Sequence, residues 1–247
     1  MSPRRPDPKT RTALIDIAAK LLAEHGPQSL STRRIAAEAG SSTMAVYTHF
    51  GGMSGLVREM VHEGFTRLAE YFGRVAKTDD PVADMAVYGR AYRRNALANE
   101  HLYVVMFGGS SLAGFELTDE DRQHGRYTLV DVVQCASRCI ESGRFRPGDP
   151  GFVAHQMWVA THGLVTLELG GYLVDPWDAD SCFETLLTGL MAGAGDTLDN
   201  AVSSVALSTE RFAAEVLDPE PEVLEEEPRT PREEEPQAPP RHRKQGR

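Results

Sequence analysis

The densest set of groups able to do chemistry in this chain is the run Ser42, Thr43, Met44, Ala45, Tyr47, Thr48 and His49. Hydroxyl and imidazole groups bind phosphate oxygens, while small or apolar side chains approach base edges and thymine methyl groups. Other sets are thinner. His155 and His162, seven apart, suit a metal only with a third ligand, and none lies at matching spacing. Cys135 and Cys139 are placed to sense oxidants, but a helix also carries such a pair as two small apolar side chains. Asp119-Glu120-Asp121 is a solvated acidic run. With no Gly-rich phosphate loop, no nucleophile elbow and no metal-binding pair on a helix, the reading is a non-enzyme without cofactor or metal.

These side chains need elements to hold them. Leu14, Ile17, Ala18, Leu21 and Leu22 mark one face of a helix over Thr10 to His25, which His25-Gly26-Pro27 stops. A second, barely two turns long, starts at Ser31 or Thr32 and reaches Ala39 before Gly40. Ser42 caps a third, Thr43 to Phe50, with Val46 and Phe50 pointing inward. Two short helices joined by a Gly-containing turn, the second rich in small polar residues, form a helix-turn-helix, an arrangement that places one helix in a groove of DNA. Further helices are expected around Leu56 to Leu68 and over Pro81 to Ala98, His101 to Phe107, Asp119 to Glu141, Phe152 to Leu173 and Ser181 to Met191, with a last one over Asn200 to Leu217. Gly108 to Thr118 reads as a long loop, and no strand is expected. Phe152 to Leu173 is apolar over much of its circumference from Trp158 onward, so it must be covered on more than one face. The fold class is all-α: a basic arm (1–9), an N-terminal three-helix helix-turn-helix domain (10–55), and a larger helical ligand-binding and dimerisation domain (56–217).

Charge follows this division. The whole chain of 247 residues carries −10, but residues 1–60 hold eight Lys/Arg and five Asp/Glu and are net basic. Residues 61–217 hold 12 Lys/Arg and 22 Asp/Glu, so a polyanion meets the front end while the acidic remainder is held away. Residues 218–247, rich in Pro, Glu and Arg, cannot bury a core and read as a disordered tail. The most apolar stretch, Met157 to Val174, has His162 and Glu168 at its middle, and three cysteines suit a reducing compartment, so the expectation is a cytoplasmic protein with no membrane partner. A competing reading is a helical interaction protein whose acidic Pro-rich tail recruits a partner, with non-specific or no DNA binding.

The run Leu14 to Phe50, LIDIAAKLLAEHGPQSLSTRRIAAEAGSSTMAVYTHF, resembles the DNA-binding domain of TetR-type transcriptional regulators. It shares the Ala18-Ala19 helix, the Gly26 stop, the Ile35-Ala36 helix, Ala39-Gly40 and Tyr47-x-His49-Phe50. Trp158, His162 and Gly163 in QMWVATHGLVTLEL resemble a regulator C-terminal domain named for its Trp-His-Gly residues. The resemblance implies that Thr32, Tyr47 and His49 contact phosphates while Arg33, Thr43, Met44 and Ala45 face bases of double-stranded operator DNA. Where the family's next helix often opens with a phosphate-binding Lys, this chain has Gly51-Gly52-Met53; Arg4, Arg5, Lys9 and Arg11 form a basic arm able to compensate. It also implies a homodimer, with Phe152 to Leu173 and Ser181 to Met191 as the interface, and a small-molecule effector in a pocket for which Phe65, Tyr88, Tyr92, Tyr103, Met106, Phe107, Trp158 and His162 are the candidates. The function expected is a sequence-specific repressor acting on a palindromic operator.

Overall fold

The computed structural model describes residues 7–107 and 118–217; the expectations for Arg4, Arg5, the loop at 108–117 and the tail at 218–247 fall outside these. Eleven α-helices and no strand are formed among the described residues. α1 (Pro8–His25) begins two residues before the expected start, because the Asp7 carboxylate accepts from the Lys9 amide at 3.1 Å and Pro8 occupies the first turn. α2 (Thr32–Glu38) and α3 (Thr43–Phe50) are capped by Ser31 and Ser42, whose hydroxyls accept from Arg34 N and Ala45 N. Gly40, at φ +60°, turns the chain between them: Ser41 N donates to Ala36 O and Gly40 N to Ala37 O, closing the end of α2.

α4 (Met53–Phe72) leaves this unit and enters the larger domain. Its Leu56, Val57, Met60 and Val61 share a core with Leu14, Ile15, Ile35 and Val46, whereas Leu68 and Phe72 belong to the second core. α6 (Glu100–Phe107) is divided the same way: Leu102 and Val105 fill the helix-turn-helix core, and Tyr103 belongs to the other.

The centre of the larger domain is α5 (Pro81–Ala98), against which α4, α8 (Val130–Glu141), α9 (Pro150–Leu169) and α11 (Leu198–Phe212) pack. α9, which the sequence expects to be covered on more than one face, packs one face within the single chain. In this chain α9 buries Ala154, Met157, Thr161 and Val165 and leaves Phe152, Val159 and Leu167 exposed. α5 does not stand out by apolarity because it carries charges, three of them tied to surrounding helices. Asp84, 1% exposed, accepts from Arg138 of α8 at 2.7 Å and Arg211 of α11 at 2.6 Å. Arg90 holds Glu184 of α10 (Ala179–Ala194), and Arg93 grips both oxygens of Glu168 at 2.6 and 2.7 Å. The expected single helix over 119–141 is two, α7 (Asp119–Tyr127) and α8, separated where the Thr128 hydroxyl donates to Gly125 O.

Burial alone raises the pKa of Asp84, but bonds from the Thr78 amide and hydroxyl, Arg138 and Arg211 together outweigh it and hold the carboxyl below its ordinary range. Asp84→Ala is expected to cost about 3 to 5 kcal/mol in urea unfolding, nearer the lower figure because Arg138 keeps 30% of its side chain in solvent. Since the native value is depressed, the contribution of Asp84 is full above the ordinary carboxylate pKa and is lost as pH falls through the native one. The gap between wild type and variant therefore narrows in acid; a gap independent of pH would contradict this assignment.

Candidate nucleic-acid interface and interior cavity

α3 buries Val46 and Phe50 and turns Thr43, Met44, Tyr47 and Thr48 outward, so the residues at i, i+1, i+4 and i+5 form one solvent face. Met44 is 67% and Tyr47 54% exposed, so this face presents two large side chains to solvent. The Thr48 hydroxyl donates to Met44 O at 2.9 Å. Ala45 and His49 are half-buried, Ala45 against the domain core and His49 beside the Phe50 ring, and the exposed Ser42 uses its hydroxyl as a cap. On α2, Thr32 is half-buried at the first turn and Arg33 is exposed, while Arg34 is paired with Glu38 at 3.0 Å. All nine sequence-chosen residues thus fall on one end of the molecule.

The basic arm is shorter than the sequence suggests. Lys9 and Arg11 lie in α1, and Arg11 clamps Glu59 at 2.5 Å and Glu63 at 3.0 Å on α4. That guanidinium fixes α1 to α4 and is unavailable to phosphate. Gly51 ends α3 in the left-handed region, and α4 starts at Met53 with no side-chain cap, so the turn holds no cation where the family often has Lys. At Gly55 a Cβ would lie 1.8 Å from Phe50 O; only hydrogen fits between α3 and the first turn of α4.

The eight aromatic and apolar residues chosen as pocket candidates also come together, on four helices. The Tyr92 and Tyr103 hydroxyls lie 2.9 and 2.7 Å from His162 Nδ1, and the Trp158 indole donates to Tyr92 at 3.3 Å. Phe107 meets His162 edge-on with centroids 4.5 Å apart and Phe65 edge-on at 6.0 Å. Burial lowers the His162 pKa and raises that of both tyrosines, so His162 is held neutral and both phenols protonated. Beside this cluster is a cavity of about 300 Å³ lined by Phe65, Tyr92, Met106, Phe107 and Trp158 among others. Tyr88 instead faces a smaller apolar chamber of about 30 Å³ that shares Tyr92, Leu129 and Trp158 with the larger one. Tyr103 and His162 stand behind the wall, bonded to Tyr92. Sequence reasoning missed Arg122 and Arg126, because α7 shows little apolar signal and nothing in its spacing shows that it closes a cavity, and it missed Leu129 at the start of α8.

Cys135 and Cys139 are buried; the hydrogen bond with Cys135 and burial push the Cys139 thiol strongly up, away from reactivity. His155 bonds Gly151 O through Nδ1, and the described residues contain no group of three metal-ligating side chains. No described helix is long and apolar enough to cross a membrane.

Residues 14–60 match the family model described as bacterial regulatory proteins, tetR family, and residues 85–190 match the tetracyclin repressor-like C-terminal domain, together more than half of the chain. The chain is 26% identical over 193 residues to the uncharacterized HTH-type transcriptional regulator Rv0681 of Mycobacterium tuberculosis, covering 76% of this chain and 83% of that protein. Among solved structures, a protein of unknown function from Rhodococcus sp. RHA1 is 26% identical with TM-score 0.65, covering 79% of this chain and 100% of that one. The fatty-acid regulator FadR from Bacillus subtilis, solved in complex with stearoyl-CoA, shares the fold at 18% identity and TM-score 0.60, covering 74% of this chain and 98% of that one. With an exposed recognition helix at one end and both family models matched, the chain belongs to the TetR family of DNA-binding transcriptional regulators.

Proposed function

We propose that this protein is a cytoplasmic, homodimeric repressor, without enzymatic activity, whose hold on a two-fold operator is released by a small molecule in the interior cavity. The observation that carries this reading is the division of α6. Its Leu102 and Val105 lie in the helix-turn-helix core, while Met106 and Phe107 line the cavity. A ligand displacing Phe107 must move the helix that also fills the DNA-binding core. A coupling of about 1 to 3 kcal/mol between ligand and operator suffices to change occupancy roughly 5- to 150-fold. The stearoyl-CoA complex of FadR supports a small-molecule site in this fold.

The outer face of α9 and α10 supports the dimer. Phe152, Val159 and Leu167 are exposed beside a stripe of small residues, Ser181, Thr185, Gly189 and Gly193, at four-residue spacing along α10. Cβ atoms at Gly163, Gly189 and Gly193 would meet nothing within 4 Å, so another helix can approach closely here. Two copies place two recognition helices on half-sites about 34 to 36 Å apart.

Selection from a random DNA pool at near-physiological salt is expected to enrich a palindrome; enrichment of an asymmetric site, or none above a salt-sensitive background, would count against the reading. On the selected site Tyr47→Phe should weaken binding to every sequence, whereas Arg33→Ala should relax preference at one base position, worth about 1 to 3 kcal/mol. Equal loss from both across all sequences would reject these roles. Gly189→Arg, at an open position of the single chain, should leave helicity unchanged and shift the sedimenting species from dimer to monomer; a variant that stays dimeric removes α10 from the interface.

A further inference from the structure

The cavity lining combines apolar and charged side chains. Its body is apolar, built by Phe65, Leu68, Met106, Phe107, Leu129 and Trp158. Arg122 and Arg126, one turn apart on α7, and His155 of α9 line it as well. Both guanidinium groups are exposed and only lightly engaged: Arg122 pairs at 3.0 Å with Asp119, which is 96% exposed, and Arg126 donates to the neutral Gln123 amide at 2.9 Å. One carboxylate also lines the cavity, that of Asp121, with 2% of its side chain exposed. It is already satisfied by the Thr118 amide and hydroxyl, by His62 at 2.9 Å and by Arg58 at 3.3 Å. Asp121 is thereby balanced by its own partners, and the electrostatic surplus of the lining is positive.

That surplus selects among ligands. Aromatic walls accept cations over their ring faces, but here an incoming cation meets two arginines. A neutral apolar molecule gains nothing from them. An anion gains charge-assisted hydrogen bonds from guanidinium forks whose geometry matches a carboxylate. Size narrows the class further. About 300 Å³ is at the small end of ligand cavities, and the adjoining chamber adds only about 30 Å³, room for a single ring or a chain of moderate length. We infer that the cavity takes a compact organic monocarboxylate, its head group on Arg122 and Arg126 and its hydrocarbon body against Phe65, Phe107 and Trp158.

This inference rests on the effector reading above and adds a route for it. Arg122 directly follows Asp121, the residue that ties α7 to Arg58 and His62 of α4. A carboxylate drawn onto Arg122 therefore acts one residue from the link between the cavity wall and the helix that leads to the DNA-binding unit.

Calorimetric titration of the full-length chain with octanoate and phenylbutyrate, against octanol and octylamine as neutral and cationic counterparts, tests the class. The carboxylates should bind more tightly than either counterpart, and Arg122→Gln combined with Arg126→Gln should weaken them about ten- to hundredfold while leaving octanol unchanged. Both side chains are at the surface, so the double variant is expected to keep the wild-type circular dichroism. Binding of the amine or the alcohol as tightly as the acids, no binding of either acid, or indifference of the acids to the double substitution would overturn the inference. Operator release by octylamine alone would overturn the anion assignment and support ligand response. Arginine-dependent binding of the acids with operator affinity untouched would support the anion assignment and remove ligand response.

Discussion

An eight-residue helix obliged to fill two hydrophobic cores is the constraint on which this architecture turns. In α6, Leu102 and Val105 are buried among the side chains of α1 and α4, and Tyr103, one residue away, is buried in the larger domain. Close-packed interiors do not deform smoothly, so neither core can be rearranged without a response from the other. The contact is tight throughout: a Cβ on Gly64 of α4 would lie 2.4 Å from the Met106 sulfur. Arg67 adds a polar seal, donating to Asp16 of α1 and to Asn99 at the α5–α6 junction, both at 2.8 Å. The two domains are therefore continuous in packing although they differ in charge.

Most of the helices were legible in the amino-acid order because local signals agree with the fold. Ser31 and Ser42 are caps, Gly40 is the turn, and Thr43 to Phe50 and Pro81 to Ala98 have the bounds their patterns indicate. What was not legible depends on residues distant in sequence. Periodicity cannot show that Asp84, Arg90 and Arg93 belong inside, since their partners Arg138, Glu184 and Glu168 come from other helices. For the same reason α5 looked like an ordinary helix and not the centre of the larger domain. The candidate site was legible to a similar degree. The aromatic residues could be named from bulk, but the cationic residues of the cavity could not, because Arg122 and Arg126 sit on a helix with almost no apolar signal.

The buried charges of α5 also set how the larger domain holds its shape. Arg138 and Arg211 reach Asp84 from different helices, and Arg144 joins Asp80 to Asp196 and to Ser204 of α11. Such pairs add little net stability compared with apolar replacements, but they fix which helix lies against which. The cavity is thereby placed against helices of defined register, and α7, a short polar helix, adds Arg122 and Arg126 to its lining.

The absence of any side chain between Phe50 and Gly55 has a mechanical consequence. With the Phe50 carbonyl lying where a Cβ of Gly55 would be, the end of α3 bears directly on the first turn of α4, so a tilt of α4 is passed to α3. A 20-residue helix is about 30 Å long, so a tilt of about 5° pivoting at Phe72 carries α3 roughly 2.6 Å, comparable to a hydrogen bond's length. Displacements too small to notice beside the cavity are thus large where side chains would have to register with base edges.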